Sequence, residues 1–165
     1  MALEARLIAR RDGLDEIVVP TELVDLPAAL GATQIMAGEQ AIFAARNRSI
    51  NASTAILEQR VAAFEEEIAG LEGEIAAQDR QLALISEELT GLGQLFDKGL
   101  ARKERILALQ RTAADIEGGR ARNVSGIARA RQGIGGARLE IDELLTELLN
   151  QTVASLQETQ KEIFD

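Results

Sequence analysis

Two stretches carry residue types that could do chemistry. The run Glu65-Glu66-Glu67 could supply paired carboxylates for acid/base work, and Gly133-Ile134-Gly135-Gly136 is a glycine-rich string of the kind that cradles phosphate. Each lacks the setting its chemistry needs. A carboxylate becomes a useful general acid only when apolar surroundings or a neighbouring charge shift its pKa, and three successive glutamates in a helical pattern read as a solvated face. A phosphate loop follows a strand and ends in Lys-Ser/Thr, whereas this string lies within a helical run and is followed by Ala-Arg-Leu. The sequence has no His and no Cys, so the best metal ligands and the usual base and nucleophile are missing. The expectation is a non-enzymatic protein with no catalytic residue, no metal site, no cofactor and no small-molecule ligand.

Charge and composition narrow the class further. A formal charge of −9 argues against nucleic acid, because phosphate binding is driven by clustered Lys and Arg that release counterions. It also disfavours a membrane-surface helix with a basic polar face. No run approaches the ~20 apolar residues of a membrane-spanning helix, and Met1-Ala2-Leu3-Glu4 does not open a signal peptide; a soluble chain is expected. Aromatic residues make up 2% of the sequence, four Phe in all, too few for the bulk of a rounded core. Ala, Leu, Ile, Glu, Gln and Arg dominate instead, the composition of long helices.

Hydrophobic spacing supplies the elements. Met36, Phe43, Ile50, Leu57, Phe64, Leu71, Ile85 and Leu92 recur every seven residues, interrupted at Gln78, and Val61, Ile68, Ile75, Leu82 and Leu89 form a companion series. Heptads sustained this long indicate a coiled-coil seam. Asp97-Lys98-Gly99 breaks the pattern, and a second stripe follows through Ile106, Leu109, Ala113, Ile116, Ile127, Ala130, Ile134, Ala137, Ile141, Leu144 and Leu148. Ahead of both, Leu3, Leu7 and Ile8 share a helical face that Gly13 would cap, and Ile17-Val18-Val19-Pro20 reads as an extended linker. Thr21 or Asp25 could cap a turn around Leu26-Pro27. The expected fold is all-α, a long antiparallel coiled-coil α-hairpin with a short N-terminal helix and an extended linker. Its divisions are 1–32 for the short helix and linker, 33–98 for the first arm, 99–101 for the tip turn and 102–165 for the second arm.

The two stripes mirror each other about Gly99. Leu92 and Ile106 lie equally far from it, as do Leu89 and Leu109, Ile85 and Ala113, Leu71 and Ile127, and Phe64 and Ile134. Layer sizes complement in this register, with Ile68 facing Ala130 and Val61 facing Ala137. Gln78 falls opposite Arg120 and Ile75 opposite Asn123, a polar interruption of the kind that fixes register at some cost in stability. Flanking charges match as well: Glu65 with Arg131, Glu58 with Arg138, Glu88 with Arg105 and Arg60 with Glu140, against one clash of Asp79 with Glu117. A parallel homodimer would set like arms together and lose this match.

Glycine within a helix costs ~1 kcal/mol relative to alanine, so the glycines of the arms need reasons. Gly119, Gly126 and Gly133 stand seven apart on one flank of the second arm, which suggests lateral packing against a neighbouring protomer or the N-terminal helix. Gly91 and Gly93 would loosen the first arm just before the tip. An apolar edge at Leu149, Val153 and Leu156 is left over and invites self-association.

The tip segment Leu95-Phe-Asp-Lys-Gly-Leu-Ala-Arg102, with Arg105-Ile-Leu-Ala-Leu-Gln-Arg111, resembles the hairpin turn of HlyD-type membrane fusion proteins, the periplasmic adaptor subunits of type I secretion systems. Glu4-Ala-Arg-Leu-Ile-Ala-Arg-Arg-Asp-Gly13 with Ile17-Val-Val-Pro20 is similar to the segment preceding the hairpin in the protease- and lipase-exporting branch of that family. The resemblance implies an adaptor that forms homo-oligomers and bridges an inner-membrane ABC transporter and a TolC-like outer-membrane channel. It also implies that the hairpin is the periplasmic part of a longer, inner-membrane-anchored protein. The family's tip meets the channel through an Arg, a Leu and a Ser; only the Leu is matched here, by Leu95, while Gly91 and Arg102 stand at the Arg and Ser positions and Lys98 and Arg102 could supply polar contacts, so the expected docking residues of the tip are Gly91, Leu95, Lys98, Gly99, Leu100 and Arg102. The alternative is a generic coiled-coil scaffold or spacer, which accounts for the heptads but not for the Pro20 segment.

Overall fold

The computed structural model describes residues 1–24 and 31–164. Among the described residues four helices follow one another: α1 Ala2–Arg11, α2 Thr21–Val24, α3 Ala32–Asp97 and α4 Lys103–Phe164. Among the described residues there is no strand, and no helix is long and apolar enough to cross a membrane. Thr21 opens α2, whose Leu23 N–H donates to the Pro20 carbonyl at 3.0 Å. The suggested Asp25 cap and Leu26-Pro27 turn lie outside the described residues. The chain divides into two compact units: a terminal unit, Met1–Glu58 with Arg138–Asp165, and a hairpin unit, Gln59–Ala137.

In the terminal unit α1 packs with the start of α3 and the end of α4. Ala5, Ala9, Ile17, Met36 and Phe43 form one buried cluster, with Ala2 and Leu23 against it. Leu7 is also buried, yet it lies on the opposite side of α1 from Ala5 and Ala9. A helix covered on two sides sits between neighbours, which is why the single face of Leu3, Leu7 and Ile8 expected from spacing gives way to Ala5, Leu7 and Ala9, with Leu3 exposed. Small alanines on the α3 side let the backbones approach. Gln160 Nε2 donates to Glu4 Oε1 at 3.2 Å and ties α1 to α4. Toward α3, Arg6 pairs with Glu39 at 2.6 Å, while Arg10 donates to Asn47 Oδ1 at 2.6 Å with its guanidinium carbon 5.7 Å from the Phe43 ring centre. Burial, together with the nearby Arg46 and Arg6 charges, holds the Arg10 pKa below the usual arginine value.

The linker after α1 is extended but not idle. Ile17 is buried in the cluster while Val18 and Val19 are exposed, so one side chain in three anchors it. Leu156 and Thr152 are buried in this unit and Val153 is half-buried. The expected spare edge at Leu149, Val153 and Leu156 is therefore mostly covered, leaving Leu149 exposed.

In the hairpin unit α3 and α4 run antiparallel around a two-helix seam. Val61, Phe64, Ile68, Leu71, Ile75, Gln78, Leu82, Ile85, Leu89 and Leu92 are all half-buried, and nearly every residue between them is exposed. On α4 the seam residues Leu109, Ile127, Ala130 and Ala137 are buried outright. The smaller residues of α4 sit deeper because the larger ones of α3 close over them.

Polar contacts between the arms accompany the pairing. Arg105 Nη2 donates to Glu88 Oε1 at 2.7 Å, and Arg120 Nε donates to Asp79 Oδ1 at 2.7 Å. Asn123 Nδ2 donates to Glu74 Oε2 at 2.9 Å and to Gln78 Oε1 at 3.3 Å. The Glu88 pair matches the mirror register. Arg120, however, is exposed and takes Asp79 as its partner; the expected clash at Asp79 is thereby relieved, and Asn123 is the residue that meets Gln78 in the polar layer.

Candidate docking tip

The connection between α3 and α4 is closed by its own backbone. Leu100 N–H donates to the Leu95 carbonyl at 2.9 Å and Gly99 N–H to the Phe96 carbonyl at 2.8 Å, the paired bonds of a Schellman cap. That cap needs a left-handed residue, and Gly99 supplies it with φ 72°. The end of α1 is built the same way, from Leu14 N–H to the Ala9 carbonyl at 2.8 Å and Gly13 N–H to the Arg10 carbonyl at 3.3 Å, with Gly13 at φ 66°.

Once the carbonyls are satisfied, the side chains point elsewhere. Leu95 and Phe96 are each 43% exposed and Leu100 is 74% exposed; Lys98, Gly99 and Arg102 are exposed too. Gly91 lies on α3 four residues before Leu95 and seven before Lys98, so the three share a helical face. A Cβ at Gly91 would meet nothing within 4 Å, and α3 continues unbroken through Gly91 and Gly93 to Asp97. Lys98 stands at the C-terminus of α3, where a cation suits the helix dipole. Arg102 precedes α4 and its carbonyl accepts from the Arg105 N–H at 3.1 Å, while its guanidinium, a donor only, cannot act as a side-chain cap. The tip is thus an apolar patch of Leu95, Phe96 and Leu100 edged by Lys98, Arg102 and Lys103.

Phe96 was not among the residues expected at the tip. The signal for it is in the pattern: continuing the companion series by seven from Leu89 lands on Phe96. Its mirror position is Arg102, which cannot close an apolar layer, so this seam residue is left facing outward.

The glycine stripe lies elsewhere than expected. A Cβ on Gly119 would come within 3.0 Å of Gln78 Nε2, one on Gly126 within 2.9 Å of Leu71 Cδ1 and one on Gly133 within 2.5 Å of Phe64 Cζ. The space these glycines leave is filled by the first arm of the same hairpin, in place of the lateral partner suggested by spacing alone. Among the described residues no cluster of His, Cys, Asp or Glu could hold a metal ion.

The family model described as AprE, long alpha-helical hairpin, matches residues 1–165. The chain belongs to this family. A curated relative, the type I secretion system membrane fusion protein PrsE of Rhizobium meliloti (strain 1021), is 34% identical over 147 residues, which are 89% of this chain and 33% of that protein. The chain thus spans about a third of that relative's length. The crystal structure of the soluble domain of LipC, a membrane fusion protein of a type I secretion system, shares the fold with a TM-score of 0.89 at 22% identity, over 97% of this chain and 75% of that one. The membrane fusion protein resemblance carried by the tip segment and by Ile17 to Pro20 is accordingly that of an AprE-type hairpin.

Proposed function

We propose that this chain is the adaptor hairpin of a type I secretion system, docking through its tip on a TolC-like outer-membrane channel, while parts of the protein outside the hairpin engage an inner-membrane ABC transporter. The observation that carries the reading is the exposed apolar tip, Leu95, Phe96 and Leu100, at the turn of a chain whose whole length fits the AprE hairpin family. An apolar patch edged by cations suits helical tips that offer apolar residues and carboxylates. In this reading the hairpin is periplasmic, belongs to a membrane-anchored protein and works as a homo-oligomer; it positions partners and performs no chemistry. A generic spacer would need neither the exposed tip nor the buried Ile17 that fastens the linker to the terminal unit.

The test is capture of the hairpin by a purified TolC-type channel. Leu95→Asp places a charge in the middle of the patch without touching the seam, so capture should be lost with helicity and melting temperature unchanged. Capture that survives Leu95→Asp, Phe96→Asp and Leu100→Asp alike rules tip docking out.

A further inference from the structure

Three arginines of the terminal unit meet in one crevice with a single carboxylate among them. The crevice is lined by Arg6, Leu7 and Arg10 of α1 and by Phe43 and Arg46 of α3. Arg6 and Arg10 stand four residues apart, and Glu39, Phe43, Arg46 and Asn47 recur at helical spacing, so one face of each helix supplies the whole cluster. Arg6 is neutralised by Glu39 at 2.6 Å. Arg10 is not: its Nη2 donates to the neutral amide oxygen of Asn47 at 2.6 Å, and its guanidinium lies by the Phe43 ring. Arg46 is exposed and has no ion pair or side-chain hydrogen bond among the described residues. Two positive charges are left over, in a chain whose net charge is −9.

That surplus is unfavourable as it stands. Arg10 is half-buried, and a charge taken partly out of water needs a counter-charge or a full set of acceptors. A guanidinium offers five N–H donors, and Asn47 takes one. Burial and the charges of Arg46 and Arg6 lower the Arg10 pKa, which marks cations crowded together. In the hairpin unit the more exposed Arg105 and Arg120 each meet a carboxylate, Glu88 and Asp79; the half-buried Arg10, where pairing counts for more, meets none. We propose that this crevice is an anion site, in which one oxyanion group, a carboxylate or a phosphate, accepts hydrogen bonds from Arg10 and Arg46 beside Phe43. The guanidinium fork suits such oxygens. The crevice holds only about 10 Å³, room for roughly one water, so it selects a single anionic group seated at its mouth. Because Arg10 belongs to α1 and Arg46 to α3, the bound anion bridges the two helices, turns their repulsion into attraction and holds α1 more tightly.

This site does not depend on tip docking and is measured without any channel. Inorganic phosphate and, separately, acetate are titrated into the full chain at fixed ionic strength, so that general screening stays constant. The melting temperature should rise along a saturable one-site curve, by roughly 3–6 °C at ten times the dissociation constant, and amide exchange in α1 should slow. A response to either probe supports the site, and the tighter of the two identifies the class of oxyanion it takes. Arg46→Gln removes an exposed side chain and leaves folding intact; without anion it should melt slightly higher, because repulsion is relieved, and it should bind roughly tenfold or more weakly. Arg46→Lys keeps the charge but not the fork and should lose less. Arg48→Gln, on the same helix but outside the crevice, should bind like wild type. The proposal is overturned if neither probe gives a saturable response, if Arg46→Gln responds as wild type does, or if Arg48→Gln loses as much as Arg46→Gln.

Discussion

Equivalent seam positions are treated differently in the two units. Met36 and Phe43 are buried to 6% and 5% exposure in the terminal unit, while Phe64, Leu71 and Ile85 in the hairpin unit are only half-buried. The residues are of the same kind and at the same heptad positions; what differs is the number of helices around them. Two helices cover a seam side chain from one side, and a third, α1, closes over the remainder. Its alanines, Ala5 and Ala9, are the residues small enough to allow that approach. The hairpin unit compensates from within, sinking Ala130, Ala137, Gly126 and Gly133 of α4 beneath the large side chains of α3.

This difference is broken most strongly at Phe43. Phe43→Ala removes a ring from a closed core and also takes the surface from under Arg10, so it should cost ~3–5 kcal/mol. Amide exchange should show the loss concentrated in the terminal unit; equal loss of protection in both would mean that they melt as one.

Gly133 gives a smaller and more discriminating effect. Alanine there gains ~1 kcal/mol in helix propensity but drives a methyl into the Phe64 ring, an overpacking that costs ~1–3 kcal/mol. The melting temperature should fall, and by less in a Phe64→Leu background. At Gly136, where a Cβ meets nothing within 4 Å, the same substitution should raise it. If both glycines respond alike, the close fit of α4 beneath α3 is not what sets the spacing of the arms.

The smallest effect is expected at Asp79 and Arg120, whose side chains are 50% and 44% exposed. A double-mutant cycle on the melting curves should give a coupling of only ~0.2–1 kcal/mol. A larger value would mean that ion pairs rather than seam packing hold the register.

Much of the hairpin could be read from spacing. Heptads report which side chains face a partner, and the mirror about Gly99 reported which partner, down to Glu88 with Arg105. Two kinds of detail escaped it. The first concerns groups near the seam edge: Arg120 sits one residue from Gly119, and spacing cannot decide which of the two turns inward when a long charged side chain can instead swing out to Asp79. The same ambiguity misplaced the glycine stripe, since a small residue on the flank of a seam serves either an outside partner or the large residue opposite. The second concerns the third helix. That Leu7 and Ala9 would both be buried follows from α1 being enclosed on two sides, a tertiary fact that ten residues do not encode by themselves. At the tip the residues were legible as exposed turn chemistry, but Phe96 was hidden by its membership of the seam series.

The Schellman closure at Gly99 has a consequence for speed as well as shape. Because the carbonyls of Leu95 and Phe96 are already bonded to the N–H groups of Leu100 and Gly99, a partner meeting the tip encounters backbone that need not reorganise. Ordering is confined to the rotamers of Leu95, Phe96 and Leu100, roughly 0.5–1.5 kcal/mol for each side chain immobilised. Encounter then approaches the behaviour of rigid bodies, whose association rate is set by orientation and charge rather than by waiting for a loop to fold.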